Sequence, residues 1–529
     1  MTAPRHVLAI DLGTTGLKVG LVSTTGEIAW TADTQLATNW LPRGGAEQDA
    51  DEWWRLITDA ARTGIASGTV DPASIVAVST TGQWASTVPV DDQGIPVGPC
   101  ILWMDTRGGR HVRKRIGGKV SGYKAKAIAT WIRHTGGAPS TAGADPIGHM
   151  LHLGIDQPDV AAAARWYLEP VDYVSMRFTG EAIATHASMT GAWLTDNRDL
   201  ANLDYDRKLL ELAGVDESKL PPLRTTASVI GKVLHGVADS LGLPHGVRVV
   251  AGTPDLHSAS VGAGTVLDYQ THMAFSTTSW ISCPVPFKKT DVTSQIASVP
   301  GAGPEGYLVA NNHDTSGACL QWLRDKIIAP DDALSRQEQS EGKRPDFGAL
   351  TDLASSVPPG SGGVIFTPWL TGERSPIDDK TARAGFHNVG IETDRAALVR
   401  AVLEGVAYNN RWLHEAVEKF VKQPLDPIRV FGGGAQSDLW CQIHADVMDR
   451  TIERIADPLH TGLRGAALLA GIALGDIERA RARDYAPVEA RFAPDASARG
   501  EYERLYAEFT QLYKAQKDMF HRLNRPGKR

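Results

Sequence analysis

Near the start of the chain, Val7-Leu8-Ala9-Ile10 and Leu17 to Val22 are two short apolar runs joined by Asp11-Leu12-Gly13-Thr14-Thr15-Gly16. Runs this short, bounded by a glycine-rich polar turn, predict the two strands of a hairpin. From Glu47 to Ile65 the period changes. Trp53, Trp54, Ile57, Ala60 and Ala61 recur at helical spacing behind the cap candidates Asp49 and Asp51. Further strands are predicted at Ile75–Ser79, Thr87–Val90 and Arg248–Ala251. In mid-chain, Thr271–Phe275 and Trp280–Cys283 flank Ser276-Thr277-Thr278-Ser279, a second hairpin with a Thr-Thr pair at its turn. Its place at the start of the second half suggests duplication, although Thr pairs alone are weak evidence. Val357 to Gly363 reads as a surface loop. Thr393 to Phe420 reads as a long helix carrying Leu398, Ala401, Val402, Gly405 and Val406 on one face. Glu501 to Leu523 is amphipathic through Leu505, Phe509, Leu512 and Phe520, which predicts a helix packed on the body. Strands alternating with helices in this way indicate a layered α/β architecture.

Length and composition narrow the class. A chain of 529 residues suggests two to four domains at roughly 150 residues each. With 42% hydrophobic and 22% charged residues, it can bury large cores without disulfides or a structural metal. A net charge of -7 argues against a nucleic-acid partner. The four cysteines, Cys100, Cys283, Cys319 and Cys441, lie far apart and form no CxxC pair, the thiol usage of a reducing compartment. Val7–Ile10 is too short for a signal-peptide core, and Ala466 to Leu474 falls short of the roughly 18 apolar residues of a membrane span. These features predict a cytoplasmic protein with no membrane partner. One stretch departs from the acidic total: no acid occurs from Thr106 to Ala144, while Arg107, Arg110, Arg113, Lys114, Arg115, Lys119, Lys124 and Lys126 crowd its first part. A solvated basic helix face is the expectation, with an oligomer contact or attraction of anionic substrates as the alternative.

Three segments carry candidate chemistry. In the first hairpin, two glycines allow close backbone approach, Thr14 and Thr15 offer hydroxyls and Lys18 offers a positive charge, parts suited to a phosphate. Asp11 could face a magnesium ion through water. A plain tight turn with a solvated lysine is the competing reading, and no Walker A sequence is present. Phe431-Gly432-Gly433-Gly434-Ala435 lies between a strand and a helical pattern, where glycines bring backbone close to a nucleotide. Ala251-Gly252-Thr253-Pro254-Asp255 also ends a strand, and Asp255 either caps the next helix or carries catalysis.

Together, in this order, these segments resemble the FGGY family of carbohydrate kinases, and its xylulokinase-like branch most closely. The resemblance extends over Glu47-Gln48-Asp49-Ala50-Asp51-Glu52-Trp53-Trp54, Ile101-Leu102-Trp103-Met104-Asp105-Thr106-Arg107, Asp172-Tyr173 with Thr179-Gly180-Glu181, Gln321 to Asp325, Ala401 to Ala407 and Gly432 to Ala435, spanning about residues 7 to 475. It implies two actin-like ATPase (ribonuclease H-like) α/β domains with an intervening cleft. Residues 1–262 would form the domain that binds sugar and phosphate, 263–480 the nucleotide domain, and 481–529 a C-terminal helical extension. The resemblance places Thr14, Thr15, Lys18 and Thr278 at the phosphates of ATP, and Gly317, Gln321, Gly433, Gly434 and Asp438 at the nucleotide. It places Gln83, Trp84, Trp103, Asp105 and Asp255 at the sugar. Asp255 would be the general base, and Asp11 and Asp255 would face Mg2+ through water. The implied reaction is ATP-dependent phosphorylation of a sugar hydroxyl, with a homodimer open as the assembly.

The sequence departs from the family in four places. The Gln-Met-His-Gly segment of xylulokinases reads Gln83-Trp84-Ala85-Ser86, so a polar partner of the sugar is lost and Trp84 either stacks on the acceptor or fills the core. Thr277 stands where the second hairpin carries glycine. Thr253 and Pro254 replace glycines before Asp255. His149-Met150-Leu151-His152 matches a family signature poorly, and two histidines without a third ligand make a poor zinc site. D-Xylulose is therefore the default acceptor. Another pentulose such as ribulose, a polyol of the erythritol or glycerol kind, and a catalytically weak sensor are the alternatives.

Overall fold

The computed structural model describes residues 4–332 and 344–524. In the first half it lays out β1 (His6–Leu12), β2 (Gly16–Ser23), β3 (Ile28–Gln35), α1 (Ala50–Ala66), β4 (Ile75–Gly82), α2 (Pro170–Thr179), β5 (Val229–Lys232), β6 (Arg248–Pro254) and α3 (Asp255–Gly262), with shorter elements between them. These strands form one sheet in the order β5-β6-β4-β1-β2-β3, β1 running parallel to β4 and antiparallel to β2. The second half contributes β7 (Thr271–Ala274), β8 (Ile281–Ser282), α4 (Gly317–Trp322), α5 (Arg395–Val421), β9 (Ile428–Phe431), α6 (Asp438–Met448), β10 (Ile452–Ile455), α7 (Thr461–Ala473), β11 (Val488–Phe492) and α8 (Arg499–Leu523). Its sheet runs β8-β7-β9-β10-β11, with β9 parallel to both β7 and β10. Two α/β domains result.

From Val7 to Ile10 β1 is apolar because both of its faces are covered. Leu8, Ile10 and Leu12 point into a core with Trp53, Ile57 and Ala61 of α1. Val7 and Ala9 point the other way, onto Leu463, Ala466, Ala467 and Ala470 of α7. Full burial of each large aliphatic side chain stabilises by about 1.5–3 kcal/mol. The period of two then fixes the orientation of Asp11: it continues the Val7–Ala9 series and faces the N-terminal end of α7.

α7 follows the second sheet in sequence yet packs on the first. α3 does the converse: it leaves β6 of the first sheet, and its Ala259 and Ala263 pack on Ala274, Phe431 and Ile455 of the second. The two helices cross closely because glycines face backbone at the contact. A Cβ at Gly465 would lie 1.9 Å from the Ser258 carbonyl oxygen, and one at Gly262 would lie 2.1 Å from that of Thr461. Gly465→Ala must therefore push the helices, and with them the domains, apart. The expected cost is about 1–3 kcal/mol or more, read from chemical denaturation; an unchanged unfolding midpoint would contradict this packing.

Several sequence expectations shift in detail. The first strand continues through Asp11 and Leu12, so the turn is only Gly13-Thr14-Thr15. Glu47 and Gln48 belong to a short strand, and α1 starts at Ala50 with Asp49 as its cap, accepting from the amides of Asp51 and Glu52. The segment 357–363 is not simply a surface loop: Ser361 is fully buried, because it and the Gly360 amide donate to the buried Glu404 carboxylate. The segment 481–529 is not helical throughout, since β11 pairs antiparallel with β10 before α8 begins.

The basic stretch is solvent-exposed as expected, apart from the half-buried Arg107, although several of its side chains also have protein partners. Arg107 pairs with Asp105 and Glu47, and Arg110 with Asp156. Arg113 and Arg115 donate to the carbonyls of Thr141, Glu211 and Leu212, and Lys124 to that of Arg115. His149 and His152 are both buried, bonded to Thr87 and Asp156 respectively. All four cysteines are buried and free. No described helix is long and apolar enough to cross a membrane.

Candidate active site

Asp11 lies opposite Lys18 in the β1–β2 register, with 3.6 Å between Nζ and Oδ2. Gly462, in the first turn of α7, makes room for it: a Cβ there would sit 2.6 Å from Asp11 Oδ2. The positive end of the α7 dipole therefore adjoins the Asp11 carboxylate.

Asp255 is the first residue of α3, at the C-terminal end of β6. It makes no capping bond to the following turn; its Oδ1 accepts only the next amide, that of Leu256, at 2.7 Å. Capping therefore does not account for it. Burial pushes its carboxyl up to about 7, and the nearby Asp11 charge adds to the shift. The two carboxylates stand at the junction of the domains, Asp255 partly exposed.

The predicted acceptor residues meet the first hairpin directly. The Trp103 indole N–H donates to Thr14 Oγ1 at 3.0 Å, and Thr14 Oγ1 lies 3.4 Å from Gln83 Oε1. Gln48 completes the cluster, donating to the Thr14 carbonyl at 2.7 Å and accepting from Gln83 at 3.2 Å. Trp84 packs against the cluster of Leu256, Val299 and Leu308, with its ring perpendicular to that of His257. It is thus largely a core contact beside the catalytic candidate. Gly191 packs tightly on Ala85, since a Cβ at 191 would lie 2.9 Å from the Ala85 Cβ. Asp105 is a structural clamp: its carboxylate is buried and accepts from the Ala46 amide and from Arg107, leaving it little capacity for a sugar.

On the second domain, three predicted elements converge through backbone bonds. The amide of Gly317 donates to the Ser276 carbonyl at 2.8 Å, and that of Gly434 to the Phe275 carbonyl at 2.8 Å. Gly432 has φ +97, and a Cβ there would lie 2.6 Å from the Phe275 oxygen. Only glycine lets this loop close on the second hairpin. Ser279 anchors that hairpin on α5 by donating to Asn410 at 3.1 Å. Thr277 is exposed and keeps a negative φ, so its Cβ strains nothing. Thr278 is half-buried in the same turn. Gln321, on α4, is exposed beside Asp325. Asp438, at the start of α6, is also exposed and is paired with Arg454 at 2.6 Å.

The halves of the site are joined by residues 458–462. The Gly432 amide donates to the Pro458 carbonyl at 2.8 Å, His460 lies 3.9 Å from Asp33 on β3, and Gly462 abuts Asp11. Gln48, His460 and Gly462 were not singled out from sequence. Only the small residues at the start of α7 hinted at the last of them.

The donor set suits a magnesium-bound polyphosphate. Two carboxylates, hydroxyl-bearing turns and one lysine face the junction. A Cβ on the exposed Gly433 would approach nothing nearer than Leu459 at 4.0 Å, so that backbone is open. Among the described residues, one other His/Asp group could gather on a metal: His134, Asp196 and Asp206. Its members are already paired, His134 with Asp206 and Asp196 with Arg198.

Comparison with known proteins agrees with this arrangement. Residues 6–262 match the N-terminal domain, and residues 270–474 the C-terminal domain, of the FGGY family of carbohydrate kinases. A xylulose kinase of Lactococcus lactis subsp. lactis is 27% identical over 98% of this chain and 98% of its own. A glycerol kinase of Acaryochloris marina is 28% identical over 90% and 91%. The crystal structure of a gluconate kinase from Lactobacillus acidophilus shares the fold with a TM-score of 0.83, at 22% identity over 99% of this chain and 100% of that one. The protein is therefore a phosphotransferase that belongs to the FGGY family of carbohydrate kinases.

Proposed function

We propose that this enzyme transfers the terminal phosphoryl group of ATP to a hydroxyl of a ketopentose such as D-xylulose, giving its 5-phosphate. The observation that carries the reading is Asp255: a carboxylate at a strand end, unused by helix capping, facing Asp11, with its pKa raised to about 7. That value is suited to a general base at neutral pH. Asp255 would take the proton from the acceptor hydroxyl as its oxygen attacks the phosphorus. Thr14, Thr15, Lys18 and the Thr278 turn would stabilise charge on the moving phosphoryl group. Asp11 and Asp255 would hold magnesium through water, and the ion would supply charge neutralisation on the phosphate oxygens. Gly317, Gly433 and Gly434 would face the nucleotide. Gln83, Trp84 and Trp103 would orient the sugar. Buried free thiols suit a reducing, cytoplasmic setting.

The alanine at position 85 supports a second reading of the acceptor only. Another pentulose, or a smaller polyol, would not miss the absent imidazole. Sugar-dependent ADP release across ketopentoses, aldoses, aldonates and polyols tests both readings. One strongly preferred ketopentose is expected, and release that no acceptor stimulates would contradict the proposal.

The proposal also sets a pH dependence. Asp255 must be deprotonated to act, so kcat/KM should rise about tenfold per unit of pH up to about 7 and then level off. A profile flat from about pH 5.5 to 8 would contradict its role as base.

A further inference from the structure

Glu169 immediately precedes α2, and its side chain makes no bond to the first turn of that helix. Its buried carboxyl turns to the acceptor loop instead, where Oε2 accepts the Ser86 amide at 3.1 Å with the Ala85 amide close by. Ala85 sits at φ +59, a left-handed conformation that costs a non-glycine residue about 1–2 kcal/mol. Such a conformation persists where the surroundings over-determine it. Ser86 passes the constraint on: its Oγ accepts the Trp103 amide at 3.0 Å, and the Trp103 indole donates to Thr14. On the other side of Ala85, the Gln83 amide donates to the Leu12 carbonyl at 2.7 Å.

We propose that Glu169 is a positioning residue for phosphoryl transfer: its carboxyl pins the left-handed Ala85–Ser86 turn and thereby sets Gln83 and Trp103 against the first hairpin. The inference rests on the reading of that loop as the acceptor site. Two further observations fit it. Glu169 is only 3% exposed, and its other oxygen has no partner beside a small pocket lined by Thr87, Met150, Tyr167 and Met189. Burial, with the Asp172 charge adding, raises its pKa well above the usual carboxylate range. Its contact with the loop is made through an accepting oxygen, so an amide of the same shape can do the same work.

The test is steady-state kinetics of wild type, Glu169→Ala and Glu169→Gln with the preferred acceptor and with ATP varied separately. Glu169→Ala should raise the acceptor KM about tenfold or more while the ATP KM stays within about twofold. Glu169→Gln, which keeps an oxygen for the Ser86 amide, should restore the acceptor KM to within about threefold of wild type. A wild-type acceptor KM in Glu169→Ala would overturn the inference. So would parallel rises in both KM values, or a Gln variant as impaired as Ala. If Glu169→Ala does not fold, Ser86→Ala replaces it, since it cuts the link to Trp103 alone. A rise of about threefold or more in its acceptor KM supports the inference, and no change overturns it. A wild-type enzyme that phosphorylates no acceptor overturns the kinase reading itself and takes this inference with it.

Discussion

Asp255→Asn should lower turnover by about 10²- to 10⁴-fold while leaving nucleotide affinity unchanged. The asparagine keeps the shape and can still accept the Leu256 amide through its oxygen, but it cannot take a proton from the acceptor. The glycines proposed to face the nucleotide, Gly317, Gly433 and Gly434, lie on the other domain, where the Gly317 and Gly434 amides bond to the second hairpin and not to Asp255. Loss of fold is not a competing explanation. The pKa of Asp255 is raised on folding, so its contribution to stability is present below its unfolded value and is lost as pH rises through about 7. Its ionisation opposes folding, and a neutral amide removes that opposition. Above pH 7 the variant should be at least as stable as wild type. Near-wild-type turnover, measured as sugar-dependent ADP release beside calorimetric nucleotide binding, would rule Asp255 out as the base.

Glu404→Ala should destabilise the second domain by about 3–5 kcal/mol. Glu404 is 1% exposed on α5. It pairs with Arg400 at 2.7 Å, accepts from the Gly360 amide and Ser361 Oγ, and accepts from the Tyr502 hydroxyl of α8 at 2.9 Å. One carboxylate thus ties together three segments distant in sequence. Truncating it leaves the buried Arg400 guanidinium without its charge partner, which costs more than the pair itself contributes. Arg400→Met in the same chain should recover part of the loss, because no charge is then stranded. Denaturant unfolding of wild type and the two variants checks this, and a Glu404→Ala midpoint equal to wild type would contradict it.

Much of the fold was legible wherever a period of two or 3.6 is set by a single covering surface. The two hairpins, α1, α5 and α8 are of this kind. The orientation of Asp11 also follows from alternation along β1. What sequence did not show is which surface does the covering. Leu463, Ala466, Ala467 and Ala470 announce that α7 is buried, but not that it lies on the first sheet while α3 lies on the second. The Pro- and Gly-rich segment 357–363 carries the signature of an exposed loop, and only Gly360 and Ser361 in it are buried, held by Glu404 some forty residues on. Asp105 has the residue type of a sugar ligand, and only the fold reveals that the Ala46 amide and Arg107 already occupy it. Glu169 looks like an ordinary helix-start acid, and its partner Ser86 lies 83 positions away. Long-range partners of single polar groups leave no local pattern. That is why the main actors of the candidate site were readable while its supports were not.

The most direct test of phosphoryl transfer is to follow a labelled terminal phosphoryl group from ATP in the presence of magnesium and each acceptor. The expected result is label on a sugar monophosphate, strongest with one ketopentose and lost in Asp255→Asn. Label that appears only as inorganic phosphate, or remains on ATP whatever the acceptor, would contradict sugar phosphorylation by this enzyme.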